Sequence, residues 1–480
     1  MEDSIAHKTV KSTFWTSIEK IATMGISFII TMLLARLLSP KDYGIIAIIM
    51  VFIAISNSII DSGFSTALIR KDKCDMKDYS TAFTFNFLVG LLLYTLLYLL
   101  SPIINSYYQM PLLDDVIKIY GLVLLIDSFK IVPNAILIRN LCFRQIAKIS
   151  VFSVMLSGCI GIYCAYNGLG VWSLVIQVLL MSFTSVILLL YKTKWIPKFS
   201  ISKSSFLYLW GFGSKMLVTG IISNIYANLY SLVIGKAYNS EVLGLYNRGE
   251  KNASLIPNII SSVFCRNILP ILSQIKHDRK RMINAYRQFV VLVTLVSVPF
   301  TVLLVALAKP FVLFFLSDKW ADSIIYLQIF SFASLTAAPG MINLIICQVD
   351  GRSDILLKAE IIKKTIGVIL IFSLLPLGPI VLATGKAIYD FVIYGINLYF
   401  VKKLVGLTFV DQIRDISPII LSSIPAGAIA YLCTWIIPYE ILQLIIGTFL
   451  GLIVFYIISN YIFKMNTYSL IFEYLKNNKL

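Results

Sequence analysis

Apolar residues in this chain come in long uninterrupted runs rather than in strand-like alternation. Runs of roughly 18–25 residues recur from end to end, each long enough to cross a hydrocarbon layer about 30 Å thick. A membrane β-barrel would show short alternating segments instead. The pattern predicts about fourteen helical spans. They cover residues 14–38, 43–66, 80–101, 116–138, 148–166, 170–190, 206–235, 243–268, 287–308, 321–346, 356–375, 379–400, 415–437 and 440–463. Pro418, Pro425 and Pro438 interrupt the last two. The expected fold class is an all-α polytopic membrane protein with short loops and no room for an extramembrane catalytic domain.

Lys and Arg alternate between the two sets of loops. One set holds Arg70, Lys71, Lys73 and Lys77, then Arg139, Arg144 and Lys148, then Lys192, Lys194 and Lys198, and later Lys276, Arg279, Lys280 and Arg281. The intervening set holds few, among them Arg36, Lys41, Lys118, Lys236, Lys309 and Lys319. Basic loops are retained on the cytoplasmic side, so both termini are expected inside.

An internal repeat subdivides the chain. "LLARLLSPKDYGIIAI" (33–48) and "LVIGKAYNSEVLGLYN" (232–247) align with Arg36 on Lys236, Pro40 on Ser240 and Gly44 on Gly244. Farther on, "DSGFSTALIRK" falls on "SSVFCRNILPI", with Phe64 on Phe264. An even number of spans separates the copies, so they run the same way through the membrane. That predicts two six-helix lobes related by a pseudo-two-fold axis along the membrane normal, as in transporters. The lobes would cover residues 1–200 and 201–405, with two further helices and a tail in 406–480.

Composition sharpens this picture. Hydrophobic residues make up 58% of the 480 and charged ones 14%, more apolar surface than a soluble core uses. The formal charge of +17 suits loops facing anionic lipid. No basic run is interleaved with aromatics, which speaks against nucleic-acid binding. The seven cysteines include no CxxC pair and read as small apolar residues, while His7 and His277 sit in basic loops. Neither a metal site, a cofactor nor a cleavable signal is expected.

The repeat blocks, followed by "LGLYNRGEKNASLIPN" and "ILPILS", resemble the polysaccharide transport family. Its members are Wzx-type lipid-linked oligosaccharide flippases of the multidrug/oligosaccharidyl-lipid/polysaccharide exporter superfamily. The resemblance implies a two-lobe fold with a cationic central cavity in a bacterial inner membrane. It implies carriage of undecaprenyl-pyrophosphate-linked glycans to the periplasmic leaflet by alternating access, for O-antigen, capsule or exopolysaccharide synthesis. A polysaccharide polymerase and a chain-length regulator are the protein partners it suggests, and a proton or sodium ion the coupling ion.

Charged positions inside the spans are the candidate sites. On a helix turning about 100° per residue, Arg248, Lys251, Asn258, Ser262 and Arg266 fall within an arc of about 80°, with Glu250 on another face. Lys215, Thr219, Tyr226 and Tyr230 make a second stripe on the seventh span. Asn57 and Asp61 share a face of the second span, and Glu19 and Thr23 one of the first. A cation at a helix centre costs roughly 2.5–3.5 kcal/mol, tolerable where it lines water or protein. A groove for phosphates and sugars is one explanation; snorkelling of the cations to water and helix–helix hydrogen bonding is the other. Glu19 and Asp61 are candidate coupling-ion sites, and Arg36 and Lys236 a candidate outer gate. Asp127 with Lys130, Glu360 with Lys363 or Lys364, and Lys386 with Asp390 have the spacing of structural ion pairs.

Two other functions compete. A multidrug exporter of the same superfamily would favour an acidic cavity, against the basic stripe seen here. A glycosyltransferase or polymerase acting on the same lipid carrier needs catalytic groups on a long outer loop, and the outer loops are short. No Walker sequence is present, so direct drive by ATP is not expected.

Overall fold

The computed structural model describes residues 22–110, 112–350 and 352–464, with only the backbone of 261–263, 265–267, 353, 354, 356 and 357. Glu19 lies outside the described residues. Helices dominate. In chain order they are α1 (22–37), α2 (Pro40–Asp61), α3 (Phe64–Arg70), α4 (Met76–Tyr108), α5 (Leu113–Tyr120), α6 (Leu122–Arg139), α7 (Phe143–Tyr166), α8 (Val171–Thr193) and α9 (Lys203–Ala237). They continue with α10 (Ser240–Ala253), α11 (Leu255–Gln274), α12 (Arg279–Ala306), α13 (Ala308–Phe315), α14 (Ser323–Ala333), α15 (Ala337–Val349), α16 (Ser353–Leu374), α17 (Pro379–Val405), α18 (Phe409–Ile436) and α19 (Glu440–Ile457).

Eleven helical stretches among the described residues are long and apolar enough to cross a membrane. The remaining expected spans are helical too: α1, the α10–α11 pair, and α16, whose Asp354, Lys358, Glu360, Lys363 and Lys364 dilute its apolar character. Large apolar side chains such as Leu92, Leu99, Ile445 and Phe449 stand exposed, as suits helices that hydrogen-bond internally and meet lipid.

Local sequence sets the helix ends. In "SPKD", Ser39 and Asp42 form a reciprocal capping box with Pro40 at the first position of α2; the Ser39 hydroxyl lies 2.7 Å from the Asp42 carboxylate. Asp75 and Asp78 do the same for α4, and Thr408 and Asp411 for α18. In "DSGF" the second span breaks. Ser62 and Gly63 take left-handed φ of +43° and +70°, ending α2 and starting α3.

The chain divides into two compact units at Gly244 and Leu245. The seventh expected span, α9, packs in the first unit, chiefly on α2. That unit has an aromatic core in which Phe83 meets Phe129, Trp195 and Phe199, and Phe64 stacks on Phe85 at 4.8 Å. Its basic loops are tied down. Arg139 donates to the carbonyls of Leu68, Lys71 and Asp72, and Lys71 reaches both Asp78 oxygens at 2.7 Å.

Within the same unit the repeat turns meet each other crosswise. A methyl on Gly44 would overlap the backbone of Ser240, and one on Gly244 the backbone of Pro40. Residues equated by the repeat therefore exchange partners, as a local two-fold contact requires.

The second unit packs α11, α12, α15 and α18 around Met282, Tyr286, Phe289, Ile342 and Ile346. Inside this core the Tyr286 hydroxyl donates to the Asn343 side-chain oxygen at 2.5 Å, which also accepts from Gln412 at 3.1 Å. Arg287 pairs with both oxygens of Asp415, at 2.7 and 2.5 Å, fastening α18 to α12.

Candidate functional site

The α10–α11 segment carries the main cationic stripe. Proline lacks the N–H that would bond to residue 253, so the helix hesitates at Ser254 ahead of Pro257. Flanking bonds, Ser254 N–H to the Glu250 carbonyl and Asn258 N–H to the Ser254 carbonyl, bridge the two pieces. The stripe does not share one environment. Arg248 is 4% exposed, with its guanidinium 6.0 Å from the Trp320 ring centre, whereas Lys251 and Asn258 are exposed. Ser262 and Arg266 lie on α11 with their side chains outside the description.

Glu250 turns to another face, as its angle predicts, and meets Lys386 of α17. The pairing expected of Lys386 with Asp390 is thus superseded. A partner on a neighbouring helix approaches more closely, and the ammonium also sits 5.4 Å from the Phe330 ring and 5.8 Å from that of Tyr246. The other two expected pairs form: Lys363 with Glu360 at 2.9 Å and Lys130 with Asp127 at 3.8 Å.

In the first unit Lys215 and Thr219 are exposed on α9, the Thr219 hydroxyl turned back onto the Lys215 and Met216 carbonyls. Tyr226 is half-buried and Tyr230 buried. Arg36 and Lys236 are exposed; the Lys236 ammonium donates to the Tyr107 carbonyl at 2.6 Å and lies 4.2 Å from that ring. Asp61 is half-buried at the break in the second span and accepts from the Ser65 N–H at 3.2 Å. With Asn57, Ser65, Asp127, Lys130, Ile131 and Asn134 it lines a cavity of about 240 Å³. Sequence reasoning left this grouping unseen, because it treated Asp127 and Lys130 as a self-contained pair. Their i,i+7 partner Asn134 on the same α6 face was the available signal.

A family model described as "polysaccharide biosynthesis protein" matches residues 33–325, from the first repeat copy through the second. This chain belongs to that family. As a member it is similar to the teichuronic acid biosynthesis protein TuaB of Bacillus subtilis, at 24% identity over 73% of each chain. It is 25% identical to the succinoglycan biosynthesis transport protein ExoT of Rhizobium meliloti, over 67% of this chain and 65% of that one. Among solved structures it resembles the lipid II flippase MurJ in an inward closed conformation, with a TM-score of 0.76 at 18% identity, over 94% of this chain and 98% of that one. That likeness is one of fold: an all-α, multi-pass membrane architecture. Among the described residues of this polysaccharide biosynthesis protein, no group of His, Cys, Asp and Glu could hold a metal ion.

Proposed function

We propose that this protein is a flippase, not an enzyme, that carries undecaprenyl-pyrophosphate-linked oligosaccharide from the cytoplasmic to the periplasmic leaflet of a bacterial inner membrane. The observation that carries the reading is Lys251, exposed on α10 of a polysaccharide biosynthesis protein, where the sequence pattern predicts a span. A cation at such depth is tolerated where it meets water or an anion. Each sugar hydroxyl stripped of water costs roughly 4–8 kcal/mol in hydrocarbon, so unassisted crossing is negligible. Lys251 would meet the phosphates, Asn258 would add a hydrogen-bonding amide, and the polyprenyl tail would remain in lipid. Arg248, beside Trp320 and buried, would supply field rather than direct contact.

The alternation of basic loops supports cytoplasmic termini. In the absence of a nucleotide-binding motif, a proton or sodium gradient would drive the cycle by alternating access. A polymerase and a chain-length regulator would act on the product. Removing the protein should leave a lipid-linked glycan on the cytoplasmic leaflet, identified by mass spectrometry, with loss of the surface polysaccharide. Normal surface polysaccharide in the deletion strain would refute the reading. Within the intact protein, Lys251→Gln should lower export and Lys251→Glu nearly abolish it at equal membrane abundance. Equal export by both would refute the cationic path.

A further inference from the structure

We propose that the cavity at the break in the second span is a sugar subsite, receiving one ring of the substrate's glycan. The inference rests on the flippase reading above. Two elements build the site. The left-handed turn at Ser62 and Gly63 stops α2 just after Asp61 and restarts the chain as α3, placing Asn57, Asp61 and Ser65 along one wall. The opposite wall is α6, where Asp127, Lys130 and Asn134 share a face at i, i+3 and i+7.

The chemistry of the lining selects the ligand. A sugar hydroxyl both donates and accepts. Here carboxylates accept, an ammonium donates, and two amides and a hydroxyl do both. Asp127 Oδ1 is buried and has no hydrogen-bond partner, its nearest cation being Lys130 at 3.8 Å. Buried acceptors are seldom left in that condition, and a sugar hydroxyl would satisfy this one. The formal charge of two carboxylates and one ammonium repels phosphate, so the pocket suits the uncharged part of the substrate.

Size argues against a bare ion. A dehydrated cation such as calcium wants oxygen ligands at about 2.3–2.6 Å on every side. This cavity of about 240 Å³ is far roomier, and Lys130 already supplies the positive charge beside Asp127. A pyranose ring with its hydroxyls displaces about six waters, at ~30 Å³ each, and fits. Asp61, first considered for ion coupling, becomes a positioning and specificity residue for sugar.

The test uses the full-length protein in lipid nanodiscs and two probes measured by native mass spectrometry: undecaprenyl pyrophosphate, and the lipid-linked glycan pool extracted from the native host. Wild type should bind the glycan-bearing lipid about tenfold more tightly than the bare one, the worth of one or two net hydrogen bonds. Asp127→Asn, Asn134→Ala and the milder Ser65→Ala should bring that ratio toward one and leave the bare-lipid Kd within about twofold. An unchanged ratio in all three variants overturns the proposal. So does equal weakening of both lipids in variants whose melting temperature is normal. Asp61→Asn that keeps the glycan preference but loses sodium or pH dependence of transport assigns the cavity to coupling instead, and overturns it as well. Wild type that binds neither lipid sinks the flippase reading and the subsite with it.

Discussion

Substituting Gly44 and Gly244 by Ala, singly and together, tests the crosswise contact of the repeat turns. A Cβ at Gly44 would lie 2.9 Å from the Ser240 Cα and closer still to its carbonyl, while one at Gly244 would lie 2.8 Å from the Pro40 carbonyl carbon. Carbon atoms pack at about 3.5–4.0 Å, so either methyl must push the two helix starts apart by about 1 Å or more. Overpacking of this kind costs about 1–3 kcal/mol. The contact is reciprocal, so one separation makes room for both methyls. The double variant should cost little more than the worse single variant, leaving a coupling energy of about 1–2 kcal/mol. The assay is unfolding in mixed micelles followed by tryptophan fluorescence, with all four proteins in one titration. Costs that add within about 0.5 kcal/mol would show that the two sites relax independently, and would refute the shared-contact argument.

Asn343→Ala should cost about 2–3 kcal/mol in the same assay, because it leaves the Tyr286 hydroxyl and the Gln412 amide only their long 3.5 Å contact with each other in an apolar core; a loss under about 0.5 kcal/mol would contradict it. Burial pushes the Cys74 thiol above its usual range, with the Arg139 guanidinium only partly opposing it, so less thiolate is present near pH 8. Cys74 should alkylate more slowly than Lys73→Cys in a Cys74→Ser background, and the gap should narrow as pH rises; equal rates at pH 8 would be the contrary result. Single cysteines at 114 and 167 in a cysteine-free background should react with an impermeant thiol reagent in intact cells, and those at 73 and 279 only after lysis; labelling of the second pair in intact cells would reverse the orientation.

The span pattern was the most legible part of the sequence, because hydrocarbon thickness imposes one length on every segment. The turn between the first two spans, at 39–42, was legible too, whereas the expected second span of 43–66 ran straight through the break at Ser62 and Gly63. The site was less so. Angular position put Arg248, Lys251 and Asn258 on one arc, yet the first is buried, with the ring of Trp320, distant in sequence, beside it, and the others are exposed. Lys386 was assigned to a neighbour on its own helix when Glu250, far away along the chain, is the partner. Helical spacing reports which residues share a face. Which neighbour covers that face depends on tertiary packing that no single-helix pattern encodes.

The clasp built on Arg139 has a practical side for anyone tagging this molecule. Three backbone carbonyls and the Cys74 sulfur converge on one guanidinium. Across the same unit, the backbone N–H groups of Ser200 and Ser202 are held by the Thr84 and Thr81 hydroxyls at 3.0 and 2.9 Å. Hydrophilic loops of a permease are the customary places to splice an epitope or a fluorescent reporter. Here two of the most inviting, at 71–75 and 195–202, are stitched to the helices beside them. A cassette inserted at either point would unpick those stitches, so reporters belong elsewhere.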